Sequence, residues 1–324
     1  MQLKKGLFAF MLFIVSFAII KVFSFSFENR QPDSNSHATE NVNFVKAIQL
    51  PQNMDFAGEK VPLNMYDVAE RMDRELTVNV YWQSQTILFI KRANRWFPII
   101  EPILKKYNIP NDFKYLAIAE SGMMNAVSPA GATGFWQLLE APAKQYGLLI
   151  NDEVDERYNV EKATEAACKY LSEANTAFGS WTMAAASYNM GITGLRRQVE
   201  SQKQSNYYNL YLNEETARYI FRLMALKEVF EHPARYNFKL RKKDLYPAIP
   251  VTKMIVDSGI SNMADFAAMY KVSYKTLKLF NPWMRQPKLI NKERRRFTIQ
   301  LPDVDFNYER YLERMGIEDS IAAE

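Results

Sequence analysis

The stretch YLAIAESGMMNAVSPAGATGFWQL, residues 115–138, sets one acid, Glu120, at the end of an apolar helical run and follows it with a loop rich in glycine, alanine and serine. Phe113, Leu116, Ala117 and Glu120 fall at i, i+3, i+4 and i+7, so the carboxyl shares a helix face with an aromatic and an aliphatic side chain. A carboxyl drawn out of water is disfavoured in its charged form; its pKa rises, and it can hold a proton near neutral pH and deliver it as a general acid. A core ion pair, or a helix end reaching solvent, would account for the same acid, because structural carboxylates are perturbed too. The flanking residues favour chemistry. Asn111 or Asp112 after Pro110 can cap the helix and Gly122 can end it, which leaves Glu120 at the mouth of a loop.

Several other segments have to position that acid. Gly131, Ala132 and Gly134 let backbone approach a ligand or another element, and Trp136 is either a flat surface for a sugar face or a core side chain. Ala163, Ala166, Ala167, Tyr170, Leu171 and Ala174 form a stripe of mostly small residues along one helix, suited to close helix packing. Tyr188 and Asn189 stand just before Gly191, where they either line the rim of a site or cap the end of their helix.

Five blocks, read in order, carry a family resemblance. IEPILKKYNIPNDFKYLAIAESG, SPAGATGFWQ, VDERYNVEKATEAACKYL, WTMAAASYNMG and NEETARYIFRLMA resemble the lytic transglycosylases with a soluble-transglycosylase-like domain, particularly the membrane-bound type D group. The likeness spans roughly 150 residues, from near Trp82 to near His232, and five ordered blocks are not a chance match. It implies that Glu120 is the single catalytic acid and that Ser121 orients it. It also implies that Ser128, Gln137, Tyr188, Asn189 and Tyr219 line the substrate groove. Leu139, Glu140 and Pro142 depart from the family pattern, and Pro142 is tolerable only in a helix's first turn.

The reaction implied by the resemblance is cleavage of the β-1,4 bond between N-acetylmuramic acid and N-acetylglucosamine in peptidoglycan glycan strands, without net addition of water. Protonated Glu120 gives its proton to the glycosidic oxygen; as a carboxylate it then takes one from the muramyl C6 hydroxyl, which attacks C1 and closes a 1,6-anhydro ring. The substrate's own hydroxyl replaces water, so one acid serves where ordinary glycosidases use two. Two other functions compete with this one. A hydrolytic muramidase needs a second carboxylate, for which Asp152, Glu153, Asp155 and Glu156 are candidates, though they read better as a turn and helix start. A noncatalytic peptidoglycan-binding protein would keep the groove and lose the acid. No cofactor is implied, and two histidines, His37 and His232, with one cysteine give no zinc set and no histidine triad.

The rest of the chain fits export to the periplasm or cell envelope. Lys4 and Lys5 precede an apolar run from Gly6 to Ile20, so residues 1–27 read as a signal peptide or membrane anchor, and attachment through the N-terminus is open. Residues 28–50 read as a flexible tether and 51–80 as a helical extension, with Met65, Val68 and Met72 at helical spacing. Residues 81–235 form the catalytic domain, expected to be mainly α and lysozyme-like. Residues 236–324 form a small α+β region, with a β-α-α-β order over Val251–Val256, Asn262–Tyr270, Ser273–Phe280 and Phe297–Leu301. VSYKTLKLFNP and FTIQLP resemble a divergent LysM module, with Asp257, Ser258 and Gly259 where the family has Gly-Asp-Thr; it either binds glycan or caps the catalytic domain. The net charge of +5 and the short basic run Lys292–Arg296 argue against nucleic acid as a partner. Cys168, the sole cysteine, cannot form an internal disulfide and reads as a small core hydrophobe.

Overall fold

The structure, a computed structural model, describes residues 45–303 together with Tyr311 and Glu313. The basic and apolar stretch Lys4–Ile20, His37 and most of the 28–50 stretch lie outside the described residues. From Ala47 onward the chain clusters as one compact unit. Among the described residues no helix is long and apolar enough to cross a membrane.

The unit is mostly helical. A two-residue hairpin, β1 (Asp55–Phe56) and β2 (Glu59–Lys60), opens it; then come α1 (Tyr66–Tyr81), α2 (Gln83–Lys106), α3 (Lys114–Ser121), α4 (Glu140–Gln145), α5 (Val160–Phe178), α6 (Trp181–Met190), α7 (Ile192–Gln202) and α8 (Glu214–Glu231). α8 is the hub, packed by α1, α3 and α6, while α5 bridges α2 and α6. The small-residue stripe explains that bridge. Ala163, Ala166, Ala167, Leu171 and Ala174 are all buried, so α5 sits close against both neighbours. Cys168 lies fully inside with its thiol pushed up to about 12 by burial.

Polar residues brace the hub from three sides. Glu75 of α1 is buried and takes Arg218 of α8 at 2.7 Å. Lys227 of α8 reaches Asp55 at 3.1 Å and Asp112 at 2.8 Å. Glu59 of the hairpin accepts from Ser180 Oγ, Trp181 N and Thr182 N at 2.6–3.0 Å, filling the free amides that start α6. Asp112 does not cap α3, as its position before the helix suggested. It lies in a 3-10 turn (Asn111–Phe113), no side chain caps α3, and its carboxylate instead accepts from Ala57 N at 2.7 Å and from Lys227. The hairpin and α8 compete successfully for it, since a lysine offers more than one orphan amide.

The C-terminal region has the expected order: β3 (Val251–Val256), α9 (Met263–Met269), α10 (Tyr274–Phe280) and β4 (Phe297–Pro302), with β3 and β4 antiparallel in the register Val251↔Pro302 to Val256↔Phe297. Asn262 and Ser273 cap the two helices by accepting from Ala264 N and Thr276 N. Its own core gathers Met263, Leu277, Trp283, Met284, Leu289, Phe297 and Ile299, and Val154 and Tyr158 from the preceding domain belong to the same cluster.

Among the glycines, Gly134 makes the tightest approach. Its φ is +81°, and an added Cβ would lie 2.1 Å from the Arg157 carbonyl oxygen, so strain and collision coincide. Gly131 has the same φ with nothing within 4 Å. We expect Gly134→Ala to cost about 2–4 kcal/mol in denaturant unfolding and Gly131→Ala about 1 kcal/mol. Equal losses would mean that only the dihedral matters.

Candidate active site

Glu120 sits in the last turn of α3, which Gly122 closes in the left-handed conformation at φ 60°. Its side chain is half-buried and accepts a hydrogen bond at Oε1 from the hydroxyl of Tyr219, a buried residue of α8. Burial pushes the Glu120 carboxyl up; the Tyr219 bond and the positive charge of Arg222 pull it back, and Glu215 adds a smaller upward push. The rise prevails. Tyr219 itself is driven well above the ordinary tyrosine value, first by burial and then by the neighbouring Glu120 charge, so it stays a neutral donor. The pair can hold a proton on Glu120 or steady its carboxylate once the proton has gone.

The other residues singled out in the sequence are each held by hydrogen bonds within the protein. Ser121 donates its hydroxyl to the Phe135 carbonyl at 2.8 Å, with Ala117 O at 3.1 Å. Gln137, in the left-handed region at φ 46°, donates to Gly134 O at 2.8 Å and Ala126 O at 3.1 Å, pinning the loop that follows Glu120. Ser128 accepts from Ala132 N at 3.1 Å. The Tyr188 hydroxyl donates to the Trp136 carbonyl at 2.8 Å. Asn189 uses both ends of its amide, donating to Glu215 Oε1 at 2.8 Å and accepting from Thr216 Oγ1 at 2.7 Å, and so ties the end of α6 to the start of α8.

Of the two readings of Trp136, the structure takes the core one. The ring is fully buried and its N–H donates to Thr164 Oγ1 at 2.8 Å, which leaves no face for a sugar. Exposed apolar side chains on the same loop are instead Met124, Val127 and Leu139. Pro142 lies in the first turn of α4, where its missing amide costs nothing.

Three of the four acids after Asn151 are engaged by partners other than Glu120. Asp155 pairs with Arg157 at 2.7 Å, Glu156 takes Lys162 and Leu149 N, and Glu153 accepts from Ile290 N at 3.0 Å. Asp155 does start the short turn Glu156–Tyr158, but the cap of α5 is Asn159, which accepts from Lys162 N at 3.1 Å. Among the described residues no group of three or more His, Cys, Asp or Glu could hold a metal ion. Glu215 and Arg222 are the charged neighbours of Glu120 that the sequence reading passed over. Their signal was there: with Tyr219 they fall at i, i+4 and i+7 along α8, one face of one helix.

Known proteins match this architecture in two parts. Residues 97–211 match the family model of the transglycosylase SLT domain, and residues 252–305 match that of the soluble lytic transglycosylase C-terminal LysM-like domain. The chain thus carries an SLT transglycosylase domain followed by a LysM-like domain. It is 27% identical over 235 residues to membrane-bound lytic murein transglycosylase D of Escherichia coli (strain K12), covering 70% of this chain and 50% of that protein, with the same figures for the protein of that name in Escherichia coli O6:H1. The chain spans about half the length of the curated relatives it matches.

Removing the Tyr219 hydroxyl deletes an interaction that favours the carboxylate, so the Glu120 pKa rises further. The titration of the Glu120 carboxyl, followed by carboxyl carbon NMR, therefore moves to higher pH in Tyr219→Phe and to lower pH in Glu215→Gln, by about half a unit or more. Titrations that coincide with wild type in both variants would remove Tyr219 and Glu215 as the groups that set it.

Proposed function

We propose that this chain is a lytic transglycosylase that cuts the β-1,4 bond between N-acetylmuramic acid and N-acetylglucosamine in peptidoglycan with Glu120 as its single general acid and base. One observation carries the reading. Within the stretch matched by the SLT domain, a single carboxyl stands at a helix end, raised by burial and held by a neutral hydroxyl donor.

Glu120 first gives its proton to the leaving glycosidic oxygen, and the bond from that oxygen to muramyl C1 breaks as positive charge builds on the ring. The carboxylate so formed then takes the proton from the muramyl C6 hydroxyl as O6 bonds to C1, leaving a 1,6-anhydro product and a protonated Glu120 ready to act again. Tyr219 steadies the carboxylate between the two steps. Ser121, Ser128, Gln137, Tyr188 and Asn189 form the wall around the reacting bond. Their polar atoms are already engaged, so the wall is set before glycan arrives.

A hydrolytic muramidase is the competing enzyme, with Glu215 the carboxylate to supply it. Glu215 is exposed and committed to Asn189, a poor position from which to activate water. We place the LysM-like unit on N-acetylglucosamine-containing glycan, and we assign export and N-terminal membrane attachment to residues 1–27, in keeping with the name of the membrane-bound relative.

The test is digestion of purified peptidoglycan by the wild-type chain and by Glu120→Gln, with mass spectrometry of the soluble products. Anhydromuropeptides, about 18 Da lighter than their hydrolysed counterparts, are expected from wild type and fall at least about 1000-fold in the variant. Reducing-end products from wild type that vanish in both Glu120→Gln and Glu215→Gln would establish the muramidase instead.

A further inference from the structure

Within the residues matched by the SLT model, the segment from Asn151 to Tyr158 contacts both matched domains. On one side Val154 and Tyr158 are buried in the core of the LysM-like unit, and Val154 makes an antiparallel bridge with Met284. Asp155 N donates to Trp283 O at 2.9 Å, Arg285 N to Glu153 O at 2.7 Å and Ile290 N to Glu153 Oε2 at 3.0 Å. The Arg285 guanidinium lies 4.1 Å from the centre of the Tyr158 ring. Such a seam of backbone bonds and shared core is how a domain is built together, unlike a module swinging on a linker.

On the other side, the same segment grips the loop behind Glu120. Arg157 is buried, forks onto Asp155 through Nε and Nη2, and extends Nη1 to Gly131 O at 3.0 Å and Leu138 O at 3.3 Å. Gly131 and Leu138 bracket the turn in which Thr133 and Leu138 exchange backbone bonds at 3.1 and 3.2 Å. Inside that turn lie the two carbonyls that hold the acid's neighbours: Phe135 O takes Ser121, and Trp136 O takes Tyr188. A path of hydrogen bonds joined by short stretches of chain therefore runs from Trp283 through Asp155 and Arg157 to Ser121, next to Glu120, and Arg285 meets its start at Glu153 and Tyr158.

We propose that Arg157 is a positioning residue and that the LysM-like unit, through it, holds the catalytic loop in its working geometry, so that this unit serves the chemical step as well as any glycan capture. The inference rests on the transglycosylase reading above. A lysine at position 157 keeps the charge beside Asp155 but cannot fork to a carboxylate and two carbonyls at once, so it separates geometry from charge. Arg285→Ala loosens the seam from its exposed edge and leaves the Arg157 bonds to the loop in place.

The experiment compares the full wild-type chain, Arg157→Lys and Arg285→Ala by hydrogen exchange and by steady-state release of anhydromuropeptides. Arg157→Lys is expected to speed exchange at the Thr133 and Leu138 amides at least about 10-fold and to lower kcat about 10- to 100-fold with KM within about twofold, because a small misplacement of the site costs rate before it costs affinity. Arg285→Ala is expected to move both readouts the same way, by about threefold. If Arg157→Lys loosens the whole domain, Arg285→Ala decides alone. Unchanged exchange at Thr133 and Leu138 in Arg285→Ala overturns the proposal. So does a rise in KM with kcat intact, which would assign the unit to glycan capture, for instance in the cavity of about 250 Å³ that opens on the seam between Asn151 and Arg295. Should wild type release no anhydro product, the transglycosylase reading fails while the exchange data still decide whether the seam holds the loop.

Discussion

Everything around Glu120 follows from keeping one carboxyl partly out of water without pairing it to a full positive charge at contact distance. Burial alone would hold the proton on the carboxyl firmly; an arginine in direct contact would strip it. A neutral hydroxyl is the compromise. It bonds the carboxylate without fixing its charge, while Arg222 and Glu215 act on it with opposite signs. The compromise depends on distance, because Glu120 and Tyr219 come from different helices, 99 residues apart in sequence. The rest of the helical region can be understood as what keeps α3 and α8 in register.

That task explains the concentration of buried polar contacts on α8. Arg218, next to Tyr219, is held by Glu75, Thr216 is held by Asn189, and Lys227 is held by Asp55 and Asp112. Buried ion pairs are weak evidence of net stability, since desolvation offsets most of their attraction. What they supply here is rotation and translation. A helix gripped near its start by α6, along its face by α1 and near its end by the hairpin cannot slide, whereas an apolar interface alone would tolerate slippage.

The sequence was most legible where a single element decides the outcome. Glu120 on the face of Leu116 and Ala117, the small-residue stripe of α5 and the order of the C-terminal strands and helices are all set by periodicity and local caps, and they stand as read. It was least legible where one residue chooses among distant partners. Asp112 looked like a cap and is a clasp for the hairpin and α8; Trp136 had two readings until Thr164, 28 positions away, was seen to take its N–H. The acids at 152–156 looked like a helix start because charge near a helix terminus is a local signal. Their partners Arg157, Ile290 and Trp283 belong to a buried pair and a domain seam that no local pattern encodes.

The loop after Glu120 shows why the wall of such a site is built from backbone more than from side chains. Phe135 O, Trp136 O, Gly134 O and Ala126 O each take a side-chain donor, so the loop presents carbonyls inward. Carbonyls are fixed once the backbone is fixed, and they carry no rotamer freedom to lose when substrate binds. The cost is that the backbone must pass through restricted conformations, with Gly134 pressed against Arg157 and Gln137 at positive φ. A strained loop keeps such a shape only if its ends are held, and Arg157 holds them at Gly131 and Leu138. The rigidity of the loop beside Glu120 thus has its source outside the helices that carry the acid and its donor.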